Sequence, residues 1–252
     1  MDIKDKVIVI TGAARGLGAA MAKRLAKRGA KLALVDLDAA SIADTAAACS
    51  GAAAVKTYGA NVADEAQVEA LFNDIVADLD GLDGLVNNAG ITRDALLVKY
   101  KDGELVAKMS LDQWQAVIDV NLTGVFLCGR EAAAHMIKLG SKGAIVNISS
   151  ISRQGNMGQT NYSATKAGVQ SMAVVWAKEL SRYGIRAASV APGFINTEMV
   201  AAMKPEAREK LTSAIPLKRM GEPDEIAKAV EYIFDNDYVS GTVLEVDGVL
   251  RL

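Results

Sequence analysis

One histidine, two cysteines and no apolar run of about 18 residues narrow the reading before any motif is considered. With His135 as the only histidine, a Ser-His-Asp hydrolase and a histidine metal cluster are both excluded, and no metal is expected. His135 reads instead as a surface or interface residue near the end of its helix. Cys49 and Cys128 stand far apart and outside any CxxC spacing, so neither a disulfide framework nor a zinc site is suggested. They read as two buried, reduced thiols. The opening MDIKDKVIVITG passes from a short apolar run straight into Thr-Gly, with no cleavage site for a signal peptide, so a cytoplasmic chain without a membrane partner is expected. A net charge of −2 gives no general reason to expect nucleic acid or an anionic membrane as partner.

What is present points to a folded α/β chain. Over 252 residues, 51% hydrophobic and 23% charged residues leave ample material for one large core, and no linker or low-complexity tract divides it. A single domain over residues 1–252 is therefore expected. Apolar, β-rich runs fall at 7–11, 31–36, 54–60, 82–88, 144–149, 185–191 and 242–247. Amphipathic helical stretches fall between them, at 16–29, 39–49, 64–79, 111–138, 161–183, 205–212 and 223–235. Strands that are apolar throughout and separated by helices predict a parallel sheet covered on both faces, with right-handed crossovers. In such a sheet, ligands collect beyond the carboxyl ends of the strands.

The residues at those ends carry the chemistry. TGAARGLG runs from the first strand into a helix, with Gly12, Gly16 and Gly18 spaced GxxxGxG around Arg15 and Leu17. This is neither the common GxGxxG fingerprint nor a P-loop, because no Lys-Ser/Thr follows. Glycines there let the backbone approach a pyrophosphate lying against the helix N-terminus. Asp36 closes the second strand, where a carboxylate accepts hydrogen bonds from ribose hydroxyls and repels a 2′-phosphate, which favours NAD(H). Arg15 points the other way, because a guanidinium in the loop can pair with that phosphate and admit NADP(H). Asn61 and Val62 follow the third strand, and Asn88, Ala89 and Gly90 follow the fourth. These short polar and small residues suit the flanks of adenine and ribose.

NYSATKAG, residues 161–168, sets Tyr162 and Lys166 four apart on one face of a helix. By itself such a spacing is more often a packed tyrosine beside a solvated lysine. A free phenol, with pKa about 10, is a poor proton shuttle at neutral pH; a buried adjacent ammonium together with a cationic nicotinamide could lower it by about 2 to 3 units.

Taken in order, TGAARGLG, NNAG, Asn121 in VNLTG, NISS, YSATK and APGFINTEM resemble the short-chain dehydrogenase/reductase family over nearly the whole chain. The resemblance implies a Rossmann-type, doubly wound parallel sheet of seven strands and a catalytic set of Asn121, Ser150, Tyr162 and Lys166. Tyr162 would act as general acid or base, and Lys166 would tune it and hold the nicotinamide ribose. Asn121 would hold a water linking Lys166 to solvent. A serine thirteen residues before the tyrosine, as in related reductases, counts to Ser149. The strand GAIVNISS aligns Ser150 instead and leaves the SRQGN loop one residue short; Ser150 is preferred because loops tolerate deletion better than strands shift register. Pro192 and Gly193 turn the backbone after the sixth strand, so that Ile195 and Thr197 can hold the nicotinamide carboxamide. The methionine- and alanine-rich stretch after them, to about residue 215, reads as a lid over an apolar substrate.

Within the family, AGITRDALL, GNMGQTNYSATKAG and GIRAASVAPGFINTEM are most similar to 3-oxoacyl-acyl-carrier-protein reductases and acetoacetyl-CoA reductases. A thioester substrate, with acyl-carrier protein as a partner, is the implied chemistry, and a homotetramer the implied assembly. Three departures stand against that branch. Residues 98–110 lengthen the connection before Trp114 by about nine residues relative to the family. Tyr183 occupies a position where a base would meet an acidic carrier, although Lys138, Lys142 and Arg182 lie near. Asp36 favours NADH where biosynthetic reductases use NADPH. The alternatives are an NAD-dependent secondary alcohol, hydroxysteroid or diol dehydrogenase on the same four residues, and a non-catalytic dinucleotide-binding regulator.

Overall fold

The seven apolar runs form seven strands hydrogen-bonded side by side in a single parallel sheet, in a computed structural model that describes residues 1–197 and 205–250. The strands are β1 (Val7–Thr11), β2 (Lys31–Asp36), β3 (Ala54–Gly59), β4 (Gly84–Asn87), β7 (Ala144–Ile148), β8 (Arg186–Pro192) and β9 (Val243–Val246). Their spatial order is β3-β2-β1-β4-β7-β8-β9. The order reverses between β1 and β4, which opens the crevice where such sheets bind ligands.

Period-two alternation divides each central strand between two cores. Ile8, Ile10, Leu32, Leu34, Val86 and Val146 pack on one face with α1 (Gly16–Lys27) and α8 (Pro223–Asp235). Val7, Val9, Ala33, Val35, Leu85 and Ile145 pack on the other face with α3 (Glu65–Leu79) and α5 (Gly124–Leu139). Burial on both faces is the reason these runs are continuously apolar. The edge strands β3 and β9 are only partly buried.

The remaining helices are α2 (Ala43–Ala47), α4 (Leu111–Ile118), α6 (Thr160–Leu180) and α7 (Pro205–Ala214). Two features differ from the sequence pattern. The stretch 111–138 is one helical path interrupted by a π-helical turn at Asp119–Thr123, where the Gly124 N–H reaches back five residues to the Asp119 carbonyl. The lengthened connection is an antiparallel hairpin, β5 (Val98–Lys101) and β6 (Glu104–Lys108). It turns at Asp102 and Gly103, both at positive φ (53° and 84°), the left-handed pair that a two-residue hairpin needs.

Both cysteines are free and buried, and burial pushes the Cys128 thiol up to about 12. His135 is half-buried, with its ring stacked on Phe72 of α3. Among the described residues, no helix is long and apolar enough to cross a membrane.

Candidate active site

Parallel strands bring their carboxyl ends to one edge, so residues scattered from 11 to 197 meet there. At the end of β1, Gly12 (φ 66°) and Gly16 (φ 57°) turn the chain into α1 through a conformation that a side chain resists. A Cβ on Gly12 would lie 2.9 Å from the Ala89 Cα, and one on Gly18 would fall on the Gly12 carbonyl oxygen. The loop therefore needs glycine at 12 and 18 for packing, whereas Gly16 faces nearly open space. Leu17 packs against the core from the first turn of α1.

The N-terminus of α1 has no side-chain cap and no acidic residue in its first turn. Its N–H groups and positive end suit a pyrophosphate, so the glycine loop fits a dinucleotide. Arg15 is exposed beside it. Asp36 accepts the Ala14 N–H on Oδ2 at 3.0 Å and the Leu37 N–H on Oδ1 at 2.8 Å. It thus ties the end of β2 to the glycine loop while retaining lone pairs for further donors.

From β4, Asn88 donates its side-chain amide to the Thr11 and Gly12 carbonyls at 2.9 and 3.0 Å. The Thr11 hydroxyl accepts both the Asn88 and Ala89 N–H groups at 3.1 Å. Asn88 and Ala89 therefore brace the glycine loop. Gly90 is exposed, with the Asn121 side chain close behind it. Asn61 caps its own turn by accepting the Ala63 N–H, and Val62 is buried against Gly124. After β8, the Gly193 N–H donates to Val246 at 2.9 Å, and Ile195 is buried in a bridge to Gly221. The Thr197 methyl lies 3.9 Å from where a Cβ on Gly16 would stand, which joins the Pro192–Thr197 segment to the glycine loop. Of the expected lid, residues 198–204 lie outside the described residues, and α7 covers most of the rest.

The pair from NYSATKAG opens α6. Lys166 is only 4% exposed, with its Nζ 5.5 Å from the Tyr162 ring centroid and donating to the Ile148 carbonyl at 2.7 Å. Burial pulls the Lys166 ammonium down to about 8. The Tyr162 phenol, however, lies above its ordinary value: burial pushes it up, a hydrogen bond with Ser150 pulls it down, and the charge of Asp94 pushes it up further. The lowered phenol expected from the sequence is therefore not found in the chain alone. Loss of water disfavours the charged form of both partners, and the ammonium is aimed at Ile148.

The two serines separate by role. Ser149 is 2% exposed and donates its hydroxyl to the Lys166 carbonyl at 2.7 Å. Ser150 caps a 3₁₀ turn, Ile151–Gln154, and its Oγ accepts the Ser152 N–H at 3.1 Å, next to Tyr162. Asn121 is fully buried in the π turn, where its side chain accepts the Ile91 N–H at 2.8 Å and donates to the Ile91 carbonyl at 2.9 Å.

Several supporting residues were not singled out from sequence. Asn161 accepts the Tyr162 N–H at 2.8 Å and donates to the Arg93 and Gln113 carbonyls at 3.0 and 2.9 Å, fixing the residue before the phenol. Asn87 donates to Asn147 at 2.9 Å and Asn147 to the Val169 carbonyl at 3.1 Å, a buried ladder from β4 through β7 to α6. Asparagines inside otherwise apolar strands were the available signal, because a buried amide requires partners.

Residues 12–249 match a family model described as enoyl-(acyl carrier protein) reductase. The chain is 41% identical over 254 residues to a 3-oxoacyl-acyl-carrier-protein reductase of Thermotoga maritima, covering 99% of both chains. It is 43% identical over 252 residues to an acetoacetyl-CoA reductase of Synechocystis, covering 98% of this chain and 97% of that one. It is 37% identical over 262 residues to a (3R)-3-hydroxyacyl-CoA dehydrogenase of Canis lupus familiaris, covering 99% and 98%. A solved short-chain type dehydrogenase/reductase from Mycobacterium marinum is similar with a TM-score of 0.88 at 30% identity, over 98% of this chain and 96% of that one.

Proposed function

For this chain, which belongs to the short-chain dehydrogenase/reductase family, we propose reduction of 3-oxoacyl thioesters to 3-hydroxyacyl thioesters with a nicotinamide cofactor. The observation that carries the reading is the convergence of Ser150, Tyr162 and the buried Lys166 at the carboxyl end of β7. A reduced nicotinamide, when bound, supplies the hydride. The chain's own residues manage the carbonyl oxygen. Ser150, whose Oγ accepts the Ser152 N–H, hydrogen-bonds with Tyr162 in the chain alone and would turn its proton to the substrate carbonyl as negative charge develops there. Tyr162 gives its phenolic proton to the same oxygen. The protonated phenol, the form that burial favours, is the one able to donate.

Lys166 stabilises the phenolate left behind and returns a proton to it. Asn121, whose side chain bridges the Ile91 N–H and carbonyl, would help to hold the water that links Lys166 to solvent. The thioester class is supported by relatives at 41–43% identity that are named for 3-oxoacyl and acetoacetyl reduction; the description of the matched model names an enoyl substrate instead. Asp36, at the end of β2, supports NADH over NADPH through repulsion of a 2′-phosphate, with exposed Arg15 as the opposing charge. A cytoplasmic homotetramer is the corresponding assembly.

Kinetics with NADH and NADPH, over 3-oxoacyl and enoyl thioesters of CoA and acyl-carrier protein and over simple ketones, test the reading. Turnover of 3-oxoacyl thioesters above all others is expected. No thioester turnover would overturn the substrate class, and an active Tyr162→Phe enzyme would overturn the catalytic assignment.

A further inference from the structure

Arg153 is a buried cation to which the reaction above gives no part. Its side chain is 8% exposed, and a guanidinium keeps its charge at any ordinary pH, so burial requires partners of matching geometry. It has two. Nη1 donates to the Ser150 carbonyl at 3.1 Å, and Nη2 pairs with the Glu245 carboxylate. The Arg153 main-chain N–H donates to the same Ser150 carbonyl, also at 3.1 Å, so that one oxygen is held twice by one residue.

The two partners belong to different parts of the site. Ser150 caps the turn that faces Tyr162. Glu245 stands on β9 in register with Ala191 of β8, one residue before Pro192 and Gly193. A bidentate, planar group between them transmits the position of the β8–β9 edge to the Ser150 peptide. The loop carrying Ser150 is a short 3₁₀ turn, held otherwise by its own short-range bonds, the Ser150 cap and the burial of Ile151 beside Ile215 and Met220, none of which ties it to β9.

We propose that Arg153 is a positioning residue, which clamps the Ser150 turn to Glu245 on β9 and so fixes the serine hydroxyl relative to Tyr162 and the cofactor-binding end of β8. The proposal rests on Ser150 being the hydroxyl that orients the substrate carbonyl. If it acts through Ser150, its removal matters only while that hydroxyl is present.

The test is steady-state kinetics with acetoacetyl-CoA on Arg153→Met, Arg153→Lys and Glu245→Gln, with Arg153→Met repeated in a Ser150→Ala background. Arg153→Met is expected to lower kcat about tenfold or more, with KM for the nicotinamide cofactor within about twofold of the parent. Arg153→Lys, which keeps one partner of two, is expected to recover part of that loss and serves as the test if the Met variant does not fold. Glu245→Gln is expected to fall between Arg153→Lys and the parent. In the Ser150→Ala background, Arg153→Met is expected to change kcat by less than about twofold. An unchanged kcat in Arg153→Met and Arg153→Lys, or an equal loss in both backgrounds, would overturn the proposal. A fully active Ser150→Ala enzyme would remove the role of Ser150 itself, and the clamp with it.

Discussion

The Lys166 ammonium donates to the main-chain carbonyl of Ile148 at 2.7 Å, which straps the first turns of α6 to the last residue of β7. The strap is doubled, because the Lys166 carbonyl accepts the Ser149 hydroxyl from the neighbouring residue. A charge is thereby kept in a place that water hardly reaches.

That burial makes Lys166 a destabilising charge at neutral pH. Its folded pKa of about 8 lies below the unfolded value of 10.5, so between them the unfolded chain binds more protons and stability rises with pH. Relative to Lys166→Met, the parent is expected to gain about 3 kcal/mol between pH 7 and pH 11. Denaturant unfolding of both proteins at the two pH values measures this. The substitution is also expected to reduce kcat by at least about 100-fold.

Ser149 and Ser150 should differ chiefly in kcat. Ser150→Ala is expected to lower kcat about 100-fold and, because its Oγ also caps the Ile151–Gln154 turn, to cost about 1 kcal/mol of stability. Ser149→Ala removes the second donor of the Lys166 carbonyl, which α6 already satisfies, and a buried hydroxyl, a loss of about 1 kcal/mol with little change in kcat. Thermal unfolding and kcat, taken together, check both expectations.

Asp36 has two tasks that substitution can part. Asp36→Ala is expected to shift the NADH/NADPH ratio of kcat/KM toward NADPH by about tenfold, and to lower stability by leaving the Ala14 N–H unpaired. Asp36→Asn keeps an acceptor for Ala14 and should retain the stability while still relaxing the preference. A ratio unmoved by both changes would remove Asp36 from cofactor choice.

The β5–β6 hairpin should be dispensable for folding. Every residue in both strands is exposed, with Leu97 at its base 66% and Tyr100 64% accessible. Replacing Val98–Lys108 with a short loop is expected to move Tm by less than about 3 °C, because no core contact is lost. A larger fall in a thermal melt would show support that the isolated chain does not reveal.

Much of the frame was legible because a sheet covered on both faces demands runs that are apolar throughout. β1 and β2 begin and end where the sequence pattern put them, and α8 spans the predicted 223–235. The hairpin was missed although VKYK alternates and Asp102-Gly103 is a strong turn signal, because its strands are only four and five residues long and ELVAK, exposed throughout, shows no alternation. The π turn had one local signal, Asn121 as a poor helix former inside 111–138, which does not specify a register. A register of i to i+5 is held by tertiary bonds, here those to Ile91. Arg153 lay unremarked in the SRQGN loop, since nothing local announces that β9 will bring Glu245 to it.

Sequence by itself determined which residues can do chemistry: the glycines that permit a tight turn, a carboxylate at a strand end, and a phenol and an amine four apart on a helix. These follow from local geometry and from the polarity each side chain must satisfy. Only the tertiary structure decided which serine faces the phenol, where the lysine ammonium points, and that burial raises the phenol rather than lowering it. Those outcomes depend on how α6 packs across β7, since burial and the direction of a hydrogen bond, rather than residue type, set the energy of a charge.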